Sequence, residues 1–178
     1  MSATPDGRWP FVSPENWLNA VDGALGRPFP AQRQRHETGF STPSHHEVIL
    51  QYSEEFWEER STELFEAAEA EVEKGREKVA RELSCRWGAP ETLDLGPYSR
   101  ATMAGLPLPE PLAYLGMLAP DALVWRRPEE DRWLALSIVK HDVELPFVLV
   151  AMFGGLGSLV EPPSHSCGFS RVWLEAVL

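Results

Sequence analysis

Two late turns hold the side chains best suited by type and spacing to do chemistry. His141, Asp142 and Glu144 share one polar turn. An imidazole beside a carboxylate is the pairing of a general base and the group that orients it. His165 and Cys167 lie two positions apart, and a thiol becomes nucleophilic when a neighbouring base takes its proton. His45 and His46 precede an apolar run, where adjacent side chains of an extended segment point opposite ways and supply one metal ligand at most. Zinc sites show paired ligand spacing, which this chain lacks, so no metal and no cofactor is expected. Gly154-Gly155-Leu156-Gly157-Ser158 stands where a phosphate-binding loop would stand. The Lys-Ser or Lys-Thr and the following helix are missing, and Leu159-Val160-Glu161-Pro162-Pro163 comes next, so a plain turn is expected.

Charge offers a different chemistry. Glu55, Glu58, Glu59 and Glu63 are close enough along a helix to make a dense carboxylate patch. Like charges one turn apart cost a few tenths of a kcal/mol per pair, a penalty that water tolerates and a basic partner relieves. These four residues are the expected partner-binding site. Arg33, Arg35 and His36 form the one basic cluster of the front half, with an external anion or, by preference, the glutamate-rich helix face as its counterpart.

The net charge of −11 opposes nonspecific attraction to phosphate backbones, so no nucleic-acid partner is expected. The start MSATPDGRWP has no basic-then-apolar signal pattern, and no long apolar run follows. A soluble cytoplasmic protein with no membrane partner is expected. Cys85 and Cys167 do not make a disulfide framework.

The elements that must position these groups begin with a helix over residues 53–87. Leu64, Ala68, Val72, Gly75, Val79 and Leu83 recur every three or four positions, the stripe of a helix that buries one face. Ser53 serves as its N-cap, and Gly88 with Pro90 ends it. Gly75 and the Ser61-Thr62 pair are the places for a bend, while a glycine on the stripe also suits close approach of a neighbour. Ser13-Pro14-Glu15 opens a short helix carrying Trp17, Leu18, Val21 and Leu25, and residues 27–44 read as an extended connection.

Alternation predicts strands over residues 47–52, 92–95, 122–127, 133–140 and 147–153, with the last, apolar on both faces, at the centre. The first two could pair in parallel across the long helix. A three-residue turn, Pro128-Glu129-Glu130, would set Trp125 opposite Trp133. Pro111 starts a helix bearing Leu112, Leu115 and Leu118, and residues 100–111 are read as irregular.

The expected fold is a single α+β domain, with a mixed, mostly antiparallel sheet of about five strands packed on one long helix. An N-terminal helical arm over residues 1–44 packs on a core of residues 45–178. The first expectation for function is a noncatalytic acidic protein-binding module, of the immunity or antitoxin-like inhibitor, adaptor or chaperone kind, recognising a basic protein. The alternative is a small enzyme or ligand-binding protein using His141 with Asp142 or Glu144, or His165 with Cys167. Convergence of three or more polar groups in a concavity favours the second class.

Overall fold

The computed structural model describes residues 12–54 and 61–163. Helix α1 (Trp17–Leu25) follows a 3-10 turn over Pro14–Asn16. Strands β1 (Gln34–His36), β2 (Gly39–Ser41) and β3 (His45–Tyr52) lead to helix α2 (Thr62–Trp87) and strand β4 (Glu91–Asp94). Helices α3 (Gly96–Met103) and α4 (Leu112–Leu118) come next, then strands β5 (Asp121–Arg127), β6 (Arg132–Val139) and β7 (Val148–Gly155). Among the described residues, seven strands join one sheet in the order β1-β2-β3-β7-β6-β5-β4, and every pairing is antiparallel.

Both faces of this α+β sheet are covered, which is why its central strand has no polar face. In β7, Leu149, Ala151 and Phe153 face α1 and α2, where they meet Trp17, Val21, Val72, Val79 and Leu83. Val148, Val150 and Met152 point the other way, toward Tyr98 of α3 and Leu112 and Leu115 of α4. The period-2 geometry of a strand thus feeds two cores from one apolar run. Arg76 is the buried charge of α2, bonded to Asp121 of β5 and, at 3.5 Å, to Glu73.

Several expectations need correction. The sheet has seven strands because the supposed connection over residues 27–44 contains the β1–β2 hairpin, whose strands are too short and polar to show alternation. The sheet is wholly antiparallel: β3 and β4 lie far apart in it, with β4 paired to β5 at one edge. Helix α2 starts at Thr62, where Ser61 Oγ accepts the Leu64 N–H at 3.3 Å. Ser53 instead ties β3 to the approach of β7, its Oγ accepting the Phe147 N–H at 2.9 Å. The helix runs unbroken through Gly75, where an added Cβ would sit 2.0 Å from Gln51 Oε1, so the glycine serves close approach. Leu64, counted on the buried stripe, is 37% exposed.

Part of the segment read as irregular is α3, with Pro97 in its first turn. The β5–β6 loop holds four residues, since Arg127 pairs with Arg132 and Asp131 adopts the left-handed conformation at φ 51°. Trp125 therefore pairs with Leu134 and Trp133 with Arg126. A one-residue slip changes the face: Trp125 packs on the α2 side and Trp133 on the α3–α4 side.

Candidate functional site

Strand β3 opens with three consecutive ionisable residues, His45, His46 and Glu47, all buried. Alternation sends His46 to one face and His45 and Glu47 to the other. His46 is fully used: one nitrogen lies 2.7 Å from Ser41 Oγ and the other 2.9 Å from the Arg27 carbonyl. That carbonyl can only accept, so Nε2 donates to it and Nδ1 accepts from the serine.

His45 is not fully used. Thr42 Oγ1 accepts the N–H of Ser44 at 3.2 Å and of His45 at 3.0 Å, which fills its two lone pairs. Its own proton can go to His45 Nδ1, 3.0 Å away, which Ser44 Oγ also approaches at 3.1 Å. The His45 carbonyl, at 3.2 Å, is a longer alternative and already receives the Thr42 N–H at 2.8 Å. When Nδ1 accepts from one of these hydroxyls the ring proton sits on Nε2, and in either tautomer Nε2 is a buried nitrogen without a partner among the described residues. Burial, seconded by the charges of His46 and Arg33, pulls the imidazole down to about 4, so it is neutral at ordinary pH.

A cleft of about 330 Å³ lies over this ring, between the β2–β3 turn and α4. Tyr114 of α4 stacks on His45 with centroids 6.5 Å apart, and Phe40 of β2 meets the same ring edge-on at 5.7 Å. The Arg33 guanidinium covers Phe40 at 4.3 Å and, among the described residues, has no carboxylate partner. The hydroxyls of Thr42 and Ser44 complete one wall; Glu110 stands on another, its Oε2 accepting the Tyr114 N–H at 3.2 Å. Next to Phe40 across the strands, Glu47 is 3% exposed and its Oε2 has no partner. Burial, partly opposed by Arg33, pushes that carboxyl up to about 7. Burial, and then the charge of Glu47, also raises Tyr114.

Of the expected chemical groups, His141 adjoins this cleft through Tyr114, ring to ring at 6.1 Å. Asp142 is exposed, and its Oδ1 accepts the Val143 N–H at 2.6 Å within its own turn. Glu144 shares the β6–β7 loop and is half-buried. His165, Cys167, Glu55, Glu58 and Glu59 fall outside the described residues, whereas Glu63 is exposed in the first turn of α2. Gly154 and Gly155 belong to β7, and Leu156–Ser158 is a 3-10 turn closed by Ser158 Oγ donating to the Gly155 carbonyl at 2.7 Å. Arg33 meets an aromatic ring on the α4 side of the sheet and, among the described residues, forms no salt bridge to a glutamate of α2.

Among the described residues, no three His, Cys, Asp or Glu side chains come together to hold a metal, and no helix is long and apolar enough to cross a membrane. Arg33, His45 and Tyr114 are far apart in sequence, and the one local sign of the cleft was a run of three ionisable residues heading an apolar strand. No known protein family, no curated protein and no solved structure matches the chain.

Proposed function

We propose that the chain is a ligand-binding protein whose site is the cleft between the β2–β3 turn and α4. The observation that carries this is convergence: Arg33, Ser44, His45, Glu110 and Tyr114 line one concavity, and the buried Nε2 of His45 has no partner among the described residues. An unmet buried polar nitrogen costs about 1–3 kcal/mol, which a bound hydrogen-bond partner recovers. Binding suits these groups better than acid–base turnover. A proton shuttle works best with a pKa near the working pH, and His45 lies well below it. Screening a fragment library by imidazole and aromatic NMR signals is expected to move the His45 and Tyr114 resonances together. A library that leaves both unmoved overturns the reading.

A second reading, a basic protein partner on α2, is favoured by the first ten residues of that helix. Residues 62–71 include no buried side chain, expose Glu63, Glu66, Glu69 and Glu71, and contain no Lys or Arg. With a net charge of −11, this end would steer a cationic surface toward it. Reversing these four glutamates to lysine is expected to lower capture of a basic host protein about tenfold or more at low salt, with wild-type capture itself falling as salt rises. Equal capture by the two proteins at both salt concentrations would remove this reading.

A further inference from the structure

We infer that the cleft takes a small monocarboxylate with a flat, aromatic body, and this rests on the ligand-binding reading above. Two groups ask for an anion. The Arg33 guanidinium stacks on Phe40 without a carboxylate partner among the described residues, and His45 Nε2, a neutral donor in the tautomer in which Nδ1 accepts from Thr42 or Ser44, has no partner among them. A guanidinium with a second N–H beside it matches the two oxygens of one carboxylate, and charge-assisted bonds of this kind are about twice as strong as neutral ones.

The limit to one negative charge follows from the opposite wall. Glu110 lines the same cleft, so Arg33, the one cation of that lining, already faces a carboxyl group. A dianion such as a phosphate monoester would bring more charge than Arg33 can offset. Glu110, whose Oε2 accepts one backbone N–H, keeps lone pairs for a donor at the far end of the ligand. The flat body follows from the walls. Phe40, His45 and Tyr114 all line the cleft, and a flat ring laid against them replaces water on aromatic surface. A volume of about 330 Å³ is at the small end of ligand pockets.

The test compares three probes with one ring: 4-hydroxybenzoate, 4-hydroxybenzamide and 4-hydroxybenzylamine. Each is titrated into the full chain and followed by the His45 and Tyr114 NMR signals and by calorimetry. The benzoate is expected to bind with its carboxylate on Arg33 and His45, with the amide about tenfold weaker and the amine weaker still. Arg33→Gln, at an exposed position that leaves the fold intact, is expected to lower benzoate affinity about tenfold and to leave amide affinity nearly unchanged. His45→Asn is expected to weaken the benzoate too. If the amide or the amine moves the same signals with equal or higher affinity, the carboxylate assignment is overturned while the cleft stands as a binding site. Benzoate binding that is indifferent to Arg33→Gln overturns the assignment as well. If none of the probes moves the cleft signals and the fragment library also fails, both the assignment and the ligand-binding reading fall.

Discussion

Replacing Gly39 by alanine is expected to cost about 3 kcal/mol or more of stability, the sum of an unfavourable backbone angle and overpacking. Gly39 opens β2 with φ 154°, a conformation that L side chains rarely adopt. A Cβ there would lie 2.0 Å from the carbonyl oxygen of Glu47, and that atom belongs to the backbone of the neighbouring strand. A flexible side chain could swing aside; a paired strand cannot. The hairpin of β1 and β2 must therefore lift away from β3, which takes Phe40 off Glu47 and moves Arg33 with it. Urea unfolding measures the loss, and Gly23→Ala is the control. Gly23 sits within α1 with nothing near its missing Cβ, so alanine there is expected to be neutral or to stabilise by up to about 1 kcal/mol through helix propensity. Equal unfolding midpoints for Gly39→Ala and wild type would show that β2 does not press on β3 as described. Carboxylate binding at the cleft should weaken in the Gly39 variant alongside its stability.

How much of this was legible in the chain depends on the range of the interaction that decides each part. The spine Val72, Gly75, Val79, Leu83 and the runs that became β3, β5, β6 and β7 were readable, because each buries a face set by its own local period. The β1–β2 hairpin was not, since three-residue strands are held by pairing with β3 and carry no period of their own. Pro97 after Gly96 suits the stop of a strand and the first turn of a helix equally, and only the core that takes up Tyr98 decides between them. The two tryptophans show how sharply such choices matter. A fourth loop residue, Asp131 in the left-handed region, moves Trp125 and Trp133 to opposite cores. The cleft is the extreme case. Arg33 and Tyr114 come together only after β2 has docked on β3 and α4 has folded across the sheet, so the run His45-His46-Glu47 is its one local sign.

Glu47 and His45 are expected to pull the pH dependence of stability in opposite directions, by about 3 kcal/mol each at most. Glu47 is raised from 4.5 to about 7 in the folded chain. Between those values the native state keeps a proton that the unfolded chain has released, so stability falls as pH rises through the window and the loss is complete above it. His45 is lowered from 6.5 to about 4. There the unfolded chain binds a proton that the native state refuses, so stability is lost as pH falls from 6.5 toward 4. The windows overlap between 4.5 and 6.5, where the wild-type protein hides two slopes of opposite sign. His46, also lowered chiefly by burial, adds to the histidine slope. Single replacements separate the two, and differences from wild type cancel the background common to both proteins. For Glu47→Gln, unfolding free energy relative to wild type should climb from the lower edge of the carboxyl window and level off above pH 7, a gain of about 3 kcal/mol at most. For His45→Asn the difference should be flat above pH 6.5 and shift in the variant's favour as pH falls toward 4. Difference curves without pH dependence in these windows would mean that the two side chains are not buried as charges the fold resists. Curves of the expected sign would show that burial holds both side chains in their neutral forms within these windows, His45 in the lining of the cleft and Glu47 on the same face of β3.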